Sequence, residues 1–242
     1  MAIDLGMTRA TGPVRCFLGW VHGDDYPALA QAASAHLHPQ EHDYFLGTRH
    51  ERRRRSFLMG RAAAKQAIAA YLGGADPTEI LVRRGCFDQP VVCHPSFDVP
   101  LVSITHHESL ALAVACDPGH VVGIDVEGIE RADTSVFERV LTAKERRRID
   151  DLFQDGHLAS VLLWCIKEAL SKALRVGMMT PFELLSVRDL QVFGTTLKVL
   201  FDHFAQYRAV AWKCDQLAVG LVLPRKTEFK LDLAQVLRNN GG

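Results

Sequence analysis

Five residues in two short stretches could do chemistry together. Gly123-Ile124-Asp125-Val126-Glu127 supplies two carboxylates, and Trp164-Cys165-Ile166-Lys167-Glu168-Ala169-Leu170-Ser171-Lys172 supplies a third and two lysines. Carboxylate oxygens suit a hard divalent cation such as Mg²⁺, and lysines beside it suit a phosphate-bearing substrate. That chemistry requires the stretches to lie side by side. The first reads as a strand, because Val121, Val122, Ile124 and Val126 are β-branched, and alternation throws Asp125 and Glu127 onto one face. The second reads as a helix rich in Ala, Leu and Lys, on which Trp164, Glu168 and Lys172 are spaced by four and form one stripe with Lys167 at its edge. Asp125, Glu127 and Glu168 can then converge on one metal. Taken alone, Glu168 and Lys172 also fit an ordinary surface pair worth about 0.2–0.5 kcal/mol.

The elements around these stretches form a pattern that repeats. Gly60-Arg-Ala-Ala-Ala-Lys-Gln-Ala-Ile68 can be laid on Ile166-Lys-Glu-Ala-Leu-Ser-Lys-Ala-Leu174. Each helix precedes a capped turn with proline near its start, Asp76-Pro77-Thr78-Glu79 and Thr180-Pro181-Phe182-Glu183. Farther on, Leu110 to Cys116 echoes Leu217 to Leu223 as an apolar, strand-prone run. A duplicated α/β unit follows, with lobes at residues 1–119 and 120–242. Where the second lobe has Lys167 and Glu168, the first has Arg61 and Ala62, so only one copy carries the third carboxylate. Arg52 to Arg55 point around most of a helix and cannot all serve one ligand. Arg61 lies in a small, apolar patch, where a cation needs an anionic partner. Thr142-Ala-Lys-Glu145 reads as a capping box with no catalytic role.

Composition excludes several classes. The 242 residues are 48% hydrophobic and carry 28 basic against 28 acidic side chains, which gives no sign of a nucleic-acid binder. No run is long enough to span a bilayer, and the opening residues lack the pattern of a signal peptide. The expectation is a cytoplasmic enzyme whose six scattered cysteines are reduced core thiols.

The two stretches, in this order and spacing, resemble the signature of the Sfp-type 4′-phosphopantetheinyl transferases. Ser103-Ile-Thr-His-His107 resembles that family's hydroxyl-histidine motif. The resemblance implies an α/β (α+β) fold of two pseudo-symmetric lobes with the active site between them. It implies Mg²⁺ on Asp125, Glu127 and Glu168, coenzyme A as donor, and a serine of an acyl or peptidyl carrier domain as acceptor. By the same resemblance His106 contacts a pyrophosphate oxygen, Arg61 with Arg55 binds the nucleotide phosphates, Lys167 orients phosphate, and Lys172 offsets growing negative charge. The base is Glu168 or a water on the metal. In Gly85-Cys-Phe-Asp-Gln-Pro90, Gln89 replaces the family's lysine, and Ser171 stands where an apolar residue is usual. Arg146 to Arg148, partly offset by Asp150 and Asp151, are candidates to dock the acidic carrier. A monomer is expected, since one chain supplies both lobes. The rival readings are a Mg²⁺-dependent pyrophosphate hydrolase and a non-catalytic scaffold that binds coenzyme A or carriers.

Overall fold

A computed structural model describes residues 2–96, 98–130, 140–152 and 155–239. The chain divides into two compact units. Unit 1 runs to Val122 and takes in Glu228–Lys230; unit 2 holds Gly123–Thr227 and the segment from Leu231. The division falls at Gly123 rather than at residue 120. Thr8 and Glu228 exchange backbone hydrogen bonds of 3.1 and 2.8 Å, which ties the late three-residue segment into unit 1.

In unit 1, the strands β1 (Ala2–Asp4), β4 (Cys16–His22), β7 (Leu101–His106) and β8 (Leu110–Cys116) form an antiparallel sheet in the order β1-β4-β8-β7. Two small ribbons flank it, β2 (Met7–Arg9) with β3 (Gly12–Val14), and β5 (Leu81–Arg84) with β6 (Pro90–Cys93). Short helices α1 (Tyr26–Gln31), α2 (Ala33–His36) and α3 (Pro39–Gly47) lead into the long helix α4 (Glu51–Tyr71). Helix α4 lies on β4, β8 and β7. Ala62, Ala63, Ala64 and Ala67 are buried there, and their small size lets helix and sheet approach closely.

Unit 2 repeats this plan. Strand β9 (Gly123–Gly128) leads, after α5 (Ala143–Leu152), to the helix α6 (Gly156–Leu174). Asp155 caps α6, its Oδ1 accepting the backbone N–H groups of His157 and Leu158 at 3.1 Å. Strands β10 (Val187–Phe193), β11 (Thr196–Phe201), β12 (Tyr207–Cys214) and β13 (Leu217–Pro224) complete a five-stranded antiparallel sheet, β10-β11-β12-β13-β9, and α7 (Leu233–Asn239) follows. In both units the strand before the long helix pairs with the last strand of the closing hairpin: β4 with β8, and β9 with β13. The duplication read from the sequence therefore recurs in the topology. The units differ at their edges: β5–β6 is a detached ribbon where β10–β11 extends the sheet, and β1 and the β2–β3 ribbon are present in unit 1 alone among the described residues.

One close approach explains a glycine in each copy. A side chain at Gly19 would collide with the Ala63 carbonyl, and one at Gly123 with the Ala169 carbonyl. Only glycine lets the strand cross its helix at these points. Cys16 and Cys116 stand directly opposite one another in the β4–β8 register and form a disulfide, which corrects the reading of all six cysteines as thiols. Cys86, Cys93, Cys165 and Cys214 are free, and Cys86 is exposed rather than in the core. Among the described residues no helix is long and apolar enough to cross a membrane.

Candidate active site

Strand alternation in β9 turns Asp125 and Glu127 toward α6, as the sequence pattern requires. Trp164 donates its indole N–H to Glu127 Oε1 at 2.9 Å, and its ring lies 5.8 Å from that of Phe182. Two turns farther along, Lys172 Nζ meets Asp125 Oδ1 at 2.6 Å. Glu168 lies midway in this stripe. Burial, and then the neighbouring Asp125 carboxylate, push its pKa up to about 7, against a counteracting pull from Lys172 and a further push from Glu127. Glu127 is also raised, first by burial and then by Asp125. The fully buried Cys165 thiol is pushed well up by desolvation, and its Sγ lies 3.4 Å from the Ala218 carbonyl. It is therefore held as an uncharged core group.

These interactions bring Asp125, Glu127, Glu168 and Lys172 together. They do not form a finished coordination shell: among the described residues no group of three His, Cys, Asp or Glu side chains is arranged to hold a metal ion. The donor chemistry nevertheless fits a hard cation. Glu127 and Glu168, each raised in part by the Asp125 carboxylate, gain from a positive charge among them, and Lys172 provides part of it here.

Lys167 has a different role from the one the resemblance gives it. It is fully buried, and its Nζ donates to Glu145 Oε2 at 2.8 Å and to the Val140 carbonyl at 2.7 Å. No part of it is exposed to orient a phosphate. Its partner Glu145 does close the expected capping box, accepting from Thr142 N at 2.7 Å while Thr142 Oγ1 accepts from Glu145 N at 3.2 Å. The same carboxylate accepts the backbone N–H of Val187 at 2.8 Å. It thus ties α5 and α6 to the first residue of β10, which the capping-box reading alone missed. Burial is the main reason the Lys167 pKa is lowered. Ser171, also buried, donates to the Glu168 carbonyl at 2.9 Å.

Unit 1 repeats that strut. Glu41, buried at the third position of α3 in a capping box with His38, meets Arg61 Nε at 3.1 Å and Lys65 Nζ at 2.7 Å. It also accepts the backbone N–H of Val82 at 3.0 Å. The anionic partner that Arg61 needs is therefore Glu41, inside the fold. Burial lowers the Arg61 pKa, Glu41 opposes this, and Arg84 adds to it.

A cavity of about 420 Å³ opens within unit 1 beside Arg61, with Arg53, Arg83, Arg84 and His106 on its wall and the rings of Tyr44 and Phe57 among them. The wall carries one acidic side chain, Asp88, which lies 3.6 Å from Arg84. Such a cavity suits an anion joined to a flat ring. His106 and Arg61 both line this cavity, and Arg55 does not. Its guanidinium donates instead to the carbonyls of Gly23 and Glu108, at 2.7 and 3.3 Å. Of the other arginines in that run, Arg53 donates to the Tyr44 hydroxyl at 2.9 Å, Arg54 pairs with Glu51, and Arg52 is exposed. Gln89 folds into its own turn, where its Oε1 accepts the Phe87 N–H at 2.8 Å.

The candidate docking arginines also divide. Arg148 donates to the Arg188 carbonyl, whereas Arg146 and Arg147 are exposed. The side chain of Asp150 lies outside the described residues.

In unit 2 an acidic strand thus lies against a helix that returns a carboxylate and a lysine. Residues 121–222 match the model of the 4′-phosphopantetheinyl transferase superfamily, the family that the two motif stretches resemble. No curated protein matches the chain. Similar solved structures include holo-(acyl-carrier-protein) synthase from Bacillus anthracis in complex with CoA (3′,5′-ADP), with 19% identity, 47% of this chain and 96% of that chain covered, and a TM-score of 0.39. The holo-[acyl-carrier-protein] synthase of Neisseria meningitidis shows 18% identity over 48% of this chain and 98% of its own, with a TM-score of 0.36. For the Plasmodium yoelii holo-ACP-synthase the values are 15%, 48%, 96% and 0.35.

Proposed function

We propose that the protein transfers 4′-phosphopantetheine from coenzyme A to a serine of an acyl or peptidyl carrier protein and releases adenosine 3′,5′-bisphosphate. The observation that carries this reading is the meeting of Asp125, Glu127 and Lys172 on facing stretches of β9 and α6, with Glu168 midway between them, inside the stretch that matches the superfamily. A carboxylate held at this point of the helix is placed to take a proton from a serine hydroxyl.

The serine oxygen forms a bond to the β-phosphorus of the pyrophosphate while the bond from that phosphorus to the bridging oxygen breaks. Its electron pair leaves with the nucleotide, and the serine proton passes to Glu168. Lys172, already charged against Asp125, offsets the negative charge that grows on the leaving phosphate. Asp125, Glu127 and Glu168 would hold Mg²⁺, which supplies Lewis-acid polarisation of the pyrophosphate. We assign the coenzyme's phosphates to His106 and the arginine-lined cavity of unit 1, with Arg61 contributing from its Glu41 pair.

Intact-mass spectrometry of an apo-carrier protein incubated with the enzyme, coenzyme A and Mg²⁺ tests this reading. A gain of about 340 Da, the mass of the transferred group, is expected, and none is expected without coenzyme A. Consumption of coenzyme A without a carrier would instead support the hydrolase. Binding of coenzyme A without turnover on fatty-acid, polyketide and peptide carriers would support the scaffold.

A further inference from the structure

We infer that Arg55 is a positioning residue that fixes His106 over helix α4, and that it does not touch the ligand; this rests on the assignment of the unit 1 cavity to coenzyme A. The guanidinium lies 4.8 Å from the centre of the Tyr26 ring, and one nitrogen, Nη2, reaches carbonyls on two separate loops. One is Gly23, at the end of β4. The other is Glu108, in the turn between β7 and β8. The two loops are also joined to each other, since the Gly23 N–H donates to the Ser109 carbonyl at 2.8 Å.

That junction has no room for a side chain. A Cβ at Gly23 would lie 2.7 Å from Arg55 Nη2, 2.8 Å from the Glu108 carbonyl oxygen and 3.0 Å from Ser109 Cα. Arg55, Gly23 and the turn therefore form one closed clamp. The residue immediately before the turn is His106, the last of β7. Its ring lies against α4, with Cδ2 3.9 Å from where a Cβ of Gly60 would be. Arg55 and Gly60 belong to the same helix, about 7.5 Å apart along its axis. The helix that forms the cavity floor thus also holds the turn that carries His106. The two N–H groups on Nη2 let one guanidinium nitrogen serve both carbonyls while the planar group lies over the Tyr26 ring. The Arg52–Glu108 pair beside it spans 3.5 Å between two largely exposed side chains and adds little.

Coenzyme A binding, measured by calorimetry on the full chain, tests the clamp in Arg55→Met, His106→Ala and the double variant. Methionine keeps an apolar stem on Tyr26 and removes the donors. Each single change is expected to weaken binding about tenfold, and the double variant to bind no worse than either single one, because Arg55 acts through His106. Losses that multiply in the double variant would make Arg55 a ligand contact and overturn the inference, as would wild-type affinity in Arg55→Met. Gly23→Ala attacks the clamp from the other side, so it should reproduce the loss alone and add nothing to His106→Ala. Contacts between the His106 ring and the Gly60 α-protons, read by NMR without ligand, should be present in the wild type and lost in both clamp variants. Their persistence would reject the clamp. If the wild-type protein bound no coenzyme A, the functional reading would fail while the NMR contacts still decided the role of Arg55.

Discussion

Unit 1 and unit 2 share a scaffold and part company at the residues where chemistry would occur. Laying Gly19 on Gly123 places Val21 where unit 2 has Asp125, and the helices place Ala62 and Gln66 where unit 2 has Glu168 and Lys172. Gln66 Oε1 accepts the backbone N–H of Trp20 at 3.2 Å, a neutral bond from helix to strand in place of the Lys172–Asp125 ion pair. The buried strut shows the opposite behaviour. Glu41 with Arg61 and Val82 in unit 1 matches Glu145 with Lys167 and Val187 in unit 2. A device found in both copies, including the one without the carboxylates, belongs to the scaffold. Features found in one copy alone are the ones to examine for catalysis.

That division can be broken most severely at the strut. Lys167→Met leaves the Glu145 carboxylate buried without its cation and is expected to cost about 3–5 kcal/mol of stability, read from denaturant melts. Combining it with Glu145→Leu should recover much of the loss, since an apolar pair of similar volume is tolerated where a stranded charge is not. A Lys167→Met protein as stable as wild type, with weakened coenzyme A binding, would return Lys167 to phosphate recognition and remove the strut from unit 2.

A smaller effect separates the units by pH. Glu168 has its pKa raised from 4.5 to about 7 in the folded protein, so its contribution to stability is fully present below pH 4.5 and is lost as pH rises through 7. Relative to Glu168→Gln, the wild type should lose at most about 3 kcal/mol between pH 4.5 and 8. Ala62 gives unit 1 no counterpart to this slope. Identical stability profiles for the two proteins would remove the perturbed carboxylate from the account.

Much of this organisation was legible in the sequence because it depends on local pattern. The β-branched strand, the fourfold spacing of Trp164, Glu168 and Lys172, and the recurring proline turns fix which faces meet. The buried partners were less legible, because they depend on long-range packing. Lys167 sits beside Glu168 in the chain, yet it points to Glu145 on another helix, and nothing local distinguishes an edge lysine from a buried one. The Thr142 capping box was visible, but its tie to Val187 needs the β10 hairpin to be placed. The His38–Glu41 capping box carries little signal in the sequence, because histidine is an unusual cap. The family resemblance gives Arg55 a phosphate, whereas its acceptors are two main-chain carbonyls that no side-chain motif announces.

The most direct test turns unit 2 into a copy of unit 1 at three of the divergent positions. Intact-mass spectrometry of an apo-carrier protein, incubated with coenzyme A, Mg²⁺ and the Asp125→Val, Glu168→Ala, Lys172→Gln triple variant, is compared with the same reaction run by wild-type protein. The account predicts phosphopantetheine addition by the wild type and none by a triple variant whose circular dichroism is unchanged. Carrier loading by the folded triple variant would contradict it.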